Sequence, residues 1–182
     1  MRHPFLRMLE RPPSEEAFRR WLGYEAYWFE GALTSFGCLL SEVPKRHRYV
    51  LAQALMLLTE ELDWLEVNAL PVPREGEVRA WAGRLHDYLA QGGDRLMVAV
   101  WLATRLQYDA LRALAPEDEL PRSYLERRTS PVVEAFLYDF EEMAEPAIDK
   151  LGVGGASRVL VEVVDAQSAL WDLGLALAQG KE

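Results

Sequence analysis

Residues 23–30 read GYEAYWFE, one carboxylate set among the aromatic side chains of Tyr24, Tyr27, Trp28 and Phe29. If the segment is helical, Phe18, Trp21, Leu22, Trp28, Phe29, Ala32, Leu33 and Phe36 recur at steps of three and four and form a wide apolar stripe. Glu25 lies three or four residues from Trp21, Leu22, Trp28 and Phe29, so it falls inside that stripe. The C-terminal segment carries the same anomaly. Leu160, Val163, Val164, Leu170, Trp171 and Gly174 make a stripe there, and Gln167 interrupts it. An unpaired carboxylate in a dry interior costs several kcal/mol or takes up a proton, and buried polar groups are ordinarily hydrogen-bonded. Three arrangements remain open. Glu25 and Gln167 satisfy each other, a tyrosine, the backbone or water in a solid core. Or they face a cavity and grip a polar small molecule, with aromatic rings stacked on it. Or the helical phase is shifted and Glu25 sits at the surface.

Fewer residues elsewhere invite chemistry. Glu61, within TEELDWLE (59–66), is three and four residues from Leu58 and Leu65, so it is a second acid able to point inward. The segment MVAVWLA (97–103) is apolar all round and marks a central helix, with Trp101 in its core. Tyr108 and Asp109 are candidates for a pocket rim. Cys38 reads as a small buried hydrophobe rather than a nucleophile. No metal site is expected. A di-iron bundle needs several inward carboxylates and a Glu-x-x-His on each of two helices, and none of His3, His47 and His86 follows a glutamate at that spacing. No zinc spacing, P-loop, GxGxxG or GxSxG occurs. No cofactor is implied, so the chemistry is acid–base work or binding.

The elements that must position these residues read as helices nearly throughout. Ser14 is an N-cap, and a 3.6-residue pattern runs from it to about Ser41. Pro44 opens a second helix that continues to Asn68. LPVPREGE (70–77) breaks the chain, a third helix runs to about Ala90, and QGGD ends it. The fourth spans Arg95 to Leu114, and APEDELPRS gives a turn followed by a short helix. Ser130-Pro131 reads as N-cap and first helical residue of a helix to about Asp149. LGVGGAS is expected to be a loop, with the last helix running from Ser157 to Gln179. No alternating strand pattern, repeat or linker appears, so the expectation is one all-α bundle of about seven helices over residues 1–182.

Bulk properties exclude several partners. The 182 residues suffice for one sizeable core. A formal net charge of -9 argues against nucleic acid or an anionic membrane surface. No apolar run approaches the roughly 20 residues of a membrane span, and the N-terminal MRHPFLRMLERPPSEE lacks the apolar core of a signal peptide. The single cysteine suggests a reducing, cytoplasmic setting.

In order along the chain, HPFLRML, EEAFRRWLGYEAYWFEGAL, TEELDWL, SPVVEAF and QSALWDLGLAL resemble the TenA/thiaminase II family. That family shares the heme-oxygenase-like bundle with pyrroloquinoline-quinone synthase. The resemblance implies a bundle with a central pocket, assembled as a homodimer or homotetramer, and an activity on thiamin or its aminopyrimidine breakdown products. The family's first-helix acid falls on Glu25, and the aromatic three residues later on Trp28. The catalytic cysteine precedes a tryptophan by two residues, and Trp101 places Ala99 there. The tyrosine before the Ser-Pro stretch falls on Arg128, and the glutamate four residues before the last-helix tryptophan falls on Gln167.

These departures shape the expected function. With Ala99, attack by a thiolate at that position is impossible, and an amide at Gln167 has no useful titration near neutral pH. Glu25 could still act as a general base on water, its pKa raised by an apolar pocket, with Glu61 as the only other acid nominated. The expectation is a TenA-like protein that binds a small heterocycle between Tyr24, Trp28 and Trp171, with Glu25 and Gln167 on its polar edge. Whether it is an enzyme is left open. The catalytic form would be a cysteine-independent hydrolase of thiamin salvage. The alternative is a non-catalytic binding or interaction protein on the same scaffold.

Overall fold

The computed structural model of the chain describes residues 3–12, 14–73 and 76–180, and all its regular elements are helical. A short helix, α1 (Pro4–Glu10), comes first: Pro4 starts its first turn and His3 Nδ1 accepts from Phe5 N at 3.3 Å. The long α2 (Glu15–Glu42) follows. Ser14 Oγ accepts from Ala17 N at 3.1 Å, and Glu15 and Glu16 sit where the helix dipole favours negative charge. A 3₁₀ turn at Lys45–His47 leads into α3 (Arg48–Asn68). Then come α4 (Glu77–Ala90), α5 (Gly93–Leu111), α6 (Glu119–Arg128) and α7 (Pro131–Ala178). Pro131 begins α7, and Ser130 Oγ accepts from Val133 N at 3.3 Å.

The most extensive contacts run between α5 and α7 and between α2 and α3. As its composition requires, α5 is central, with Leu96, Met97, Val98, Ala99 and Val100 all buried. On α2 the buried face is Phe18, Trp21, Leu22, Glu25, Phe29, Ala32 and Phe36, while Trp28 and Leu33 are half-buried. The α3–α4 connection crosses α2 closely. A Cβ at Gly23 would meet Leu70 O at 2.3 Å, so only glycine lets that stretch of backbone pass. Leu70 N donates to Arg19 O at 2.9 Å and Tyr27 Oη to Val72 O at 2.7 Å, pinning the connection beside Glu25. Residues 74 and 75 of the expected break lie outside the described residues.

Four expectations need correction. HPFLRML forms the separate helix α1, which the periodicity did not mark because it is only two turns long. LGVGGAS does separate two helices, as expected, but not by a seven-residue loop: the break is a kink at the single residue Gly152 (φ 64°, ψ 171°), and the second helix of α7 starts at once. The buried line beyond that bend is Val159, Val163, Gln167, Leu170 and Gly174, so Leu160 and Val164 are each 40% exposed. Cys38 is exposed, on the side of α2 away from Phe36 and Leu39.

Candidate functional site

A cavity of about 410 Å³ lies between α2, α3, α5, α6 and the start of α7. Its walls are largely apolar, with Trp28, Phe29 and Phe36 from α2, Leu57 and Leu58 from α3, and Phe136 from α7. The polar wall carries Gln107 of α5, Glu61 of α3, and Arg127 and Arg128 of α6. Helical phase puts these groups together. Val100, Ala103 and Gln107 share one side of α5, and Arg127 and Arg128 end α6 with their side chains turned toward α3 and α2.

Glu25 lies behind that polar wall. It is 0% exposed, yet both its oxygens are satisfied. Oε1 accepts from Gln107 Nε2 at 2.8 Å and from Tyr124 Oη at 3.1 Å, and Oε2 accepts from Arg128 Nη2 at 3.1 Å. Burial pushes its carboxyl above the ordinary 4.5, while Arg128, Tyr124 and Gln107 pull against that shift. Burial, and then the charge of Glu25, push the Tyr124 phenol well up, so Tyr124 serves as a donor. For Arg128, burial opposes the charge, but Glu25, Tyr124 and Glu61 outweigh it and hold the guanidinium above its usual value.

Arg128 is the hinge of the network. Its guanidinium stacks on the Phe29 ring, 3.8 Å from the centroid, and has Tyr124 on another side at 5.1 Å. One end binds Glu25. The other lies 3.2 Å from Glu61 Oε2, close enough for ion pairing although not aligned as a hydrogen bond. Arg127 holds the second oxygen of Glu61 at 2.8 Å, donates to Glu60 O at 3.0 Å and covers the Trp64 ring at 5.7 Å. Two carboxylates and two guanidinium groups therefore alternate in one network, with Glu25 behind the wall and Arg128, Glu61 and Arg127 on the cavity itself. Several polar atoms of this wall have no hydrogen-bond partner among the described residues, Glu61 Oε2 among them. The Nε atoms of Arg127 and Arg128 are buried donors without a hydrogen-bond partner. In Gln107 the amide nitrogen is taken by Glu25 and Tyr124 (3.2 Å), which leaves the amide oxygen as its acceptor.

The titration of Glu25 has a measurable consequence. Its native pKa is raised, so the folded protein binds this proton more tightly than the unfolded chain does. That contribution to stability is complete below about pH 4.5 and is lost as pH rises through the raised native value. A glutamine in its place does not titrate. The unfolding free energy of the wild type minus that of Glu25→Gln should therefore fall as pH is raised from below 4.5, in urea unfolding at a series of pH values. A flat difference would mean that the three donors hold the carboxyl at its ordinary value.

The residues singled out in the sequence separate into two groups. Trp28, Glu61 and Arg128 line the cavity, and Tyr108 does too. Glu25 reaches the cavity only through Arg128 and Gln107. Tyr24, Ala99, Trp101, Gln167 and Trp171 form no part of the wall. Ala99 is core, because the cavity side of α5 is set by Val100 and Ala103, one position away. Trp101 has a buried Nε1 without a partner among the described residues. Trp171 stacks with Phe5 at 6.4 Å and lies 5.4 Å from His3, so it anchors α1. Gln167 is buried with Nε2 unpaired among the described residues and is not a partner of Glu25. Asp109 pairs with Arg105 at 2.8 Å outside the cavity.

Sequence reasoning missed Gln107, Tyr124 and Arg127. A signal existed for Gln107: it breaks the line Val100, Ala103, Leu111 as Gln167 breaks its own. Among the described residues, no group of three His, Cys, Asp or Glu side chains could hold a metal ion, and no helix is long and apolar enough to cross a membrane.

No family model matches the chain, and no curated protein matches it. Among solved structures, a TenA homologue from Pyrococcus furiosus matches with a TM-score of 0.82 at 18% identity, covering 94% of this chain and 90% of that one. The chain thus has the all-α TenA fold.

Proposed function

We propose that this protein binds a small planar heterocycle of the aminopyrimidine or thiamin-related class in the cavity beside Arg128. The observation that carries this reading is the pairing of an aromatic-walled space of about 410 Å³ with Gln107, Glu61, Arg127 and Arg128 on its polar wall. That volume lies within the roughly 300–1,000 Å³ of small-molecule sites. An aminopyrimidine presents a ring nitrogen next to an amino group, an acceptor beside a donor. The acceptor suits a guanidinium N–H of the wall, and the amino group suits the Gln107 oxygen. Trp28, Phe29 and Phe136 offer faces and edges for the ring.

Charge at the cavity favours unphosphorylated ligands. Glu60, Glu61 and Glu126 stand against Arg127 and Arg128, and Arg128 is also neutralised by Glu25. A phosphate ester would add negative charge where both cations of the wall are already paired. In a thermal-shift series, aminopyrimidines and thiamin should stabilise the protein and their phosphate esters should do so less. A ligand at 100 times its dissociation constant adds about 2.7 kcal/mol, worth roughly 5–10 °C in a chain of this length. Gln107→Leu should abolish the shift. A ligand that binds equally well without Gln107 would remove this assignment.

One observation favours turnover as a second reading. Glu61 is a carboxylate in the cavity wall, able to take a proton from an attacking water and return it to a leaving amine. Both its oxygens are engaged by arginines, which makes binding the better-supported role. Product analysis by chromatography with Glu61→Gln distinguishes the two: loss of turnover with retained binding would establish the hydrolase.

A further inference from the structure

The inner wall of the cavity is nearly closed to solvent. Val100 and Phe136 on it are buried, and Ala103 is 4% exposed. The lining residues that stand in solvent are Glu60, Glu126 and Val132. The mouth therefore lies between α3, α6 and the start of α7. Arg127 belongs to that mouth, since it follows Glu126 on α6 and donates to the Glu60 carbonyl at 3.0 Å.

Its side chain crosses from one helix to the other. The guanidinium starts from α6, and every partner it has among the described residues belongs to α3: Glu61 Oε1 at 2.8 Å, Glu60 O, and the Trp64 ring at 5.7 Å. One swing of the side chain away from α3 releases all three. Arg128 has no such freedom. Its side chain is 7% exposed against 31% for Arg127, with Glu25 at one end and Glu61 at the other. The swing of Arg127 also orphans nothing. Glu61 keeps Arg128 at 3.2 Å. Arg127 Nε, a buried donor with no hydrogen-bond partner among the described residues, gains water as it moves out.

We propose that Arg127 bars the mouth of the cavity, and that its swing off α3 is what admits and releases the ligand. This rests on the reading of the cavity as a ligand site. Partly exposed ion pairs and cation–π contacts are individually modest, so such a bar slows passage and still opens. Its partners on α3 are then positioning residues: Trp64 and Glu61 hold the bar in place.

The test needs no ligand. A thiol on the inner wall, Ala103→Cys in a Cys38→Ser background, is exposed to iodoacetamide, a small neutral alkylating agent, and its labelling is followed by mass spectrometry. Adding Arg127→Ala should speed labelling about tenfold. Salt should speed labelling a few-fold while Arg127 is present, by screening its ion pair, and should have little effect in Arg127→Ala. Where Ala103→Cys does not fold, Val100→Cys on the same wall takes its place. Labelling equally fast with and without Arg127 would overturn the proposal, and so would labelling indifferent to salt while Arg127 is present. The ligand reading stands or falls by the thermal-shift series instead. Its failure would leave a barred mouth intact, and a freely labelled thiol would leave the ligand assignment intact.

Discussion

Arg128→Met should cost about 3–5 kcal/mol at neutral pH, the range for removing one partner of a buried ion pair. In a chain of this length that is a fall in Tm of roughly 6–20 °C. The loss comes mainly from Glu25. That carboxyl is 0% exposed and would keep only the Gln107 and Tyr124 donors, which bear no charge. Its pKa, already raised by burial, would rise further without the guanidinium. The folded variant then holds its proton to higher pH than the unfolded chain, so its stability falls more steeply with rising pH than that of the wild type. The cost should grow as pH rises above the ordinary carboxyl range in urea unfolding at a series of pH values. A cost independent of pH would assign the effect instead to lost stacking on Phe29 and Tyr124. Glu25→Leu combined with Arg128→Met should recover most of the loss, because an apolar pair leaves no orphaned charge. Glu61 would stay tied to Arg127.

This coupling also fixes what Glu25 can do. A carboxylate with three protein donors and no exposed surface cannot reach a water in the cavity. It holds Arg128 and Gln107 in place, and those two form part of the polar edge of the cavity. The acids that line the cavity are Glu60, Glu61 and Glu126, and of these Glu61 is the one paired to Arg127 and Arg128. In the network, Glu25 is a positioning residue, and its partners Gln107 and Arg128 are the groups that line the cavity.

Much of this was legible in the sequence, for a definite reason. On α2 the apolar side chains recur at steps of three and four over about five turns, from Phe18 to Phe36, so the buried phase was strongly indicated and Glu25 fell within it. The caps at Ser14 and Ser130 followed from local chemistry. The partners of Glu25 were not legible, because they come from α5 and α6 and meet only through tertiary packing, 82 to 103 residues away. Gln167 was found by the same reasoning and is buried, but periodicity gives a residue's depth and not its neighbour. Ala99 illustrates a second limit. A one-residue difference in register on α5 rotates a side chain by about 100°, enough to move it from a cavity wall into the core. Gly152 illustrates a third: LGVGGAS has the composition of a loop, yet one left-handed residue suffices for the turn, and the helix absorbs the other glycines.

Gly174→Ala is expected to destabilise the fold by about 2 kcal/mol. A Cβ at Gly174 would lie 2.3 and 2.8 Å from the Phe5 ring and 2.7 Å from Trp21 Cδ1. Both rings are 0% exposed and packed on one another at 4.7 Å, so neither can swing aside. Overpacking of this kind costs about 1–3 kcal/mol or more, and the better helix propensity of alanine returns at most about 1. The net loss corresponds to roughly 4–8 °C in Tm. The damage should be directional. Phe5 is the main anchor of α1 on α7, so displacing its ring should release α1 first. Hydrogen exchange should accelerate at residues 5–10 while α3 and α5 stay protected. Trp21 also abuts Tyr124 at 5.3 Å, so a shift transmitted that far would disturb a donor to Glu25 and weaken ligand binding with it. A stable Gly174→Ala variant with α1 still protected would mean that the Phe5–Trp21 pair can yield, and that the close approach of α7 to it is not what holds the N-terminal helix.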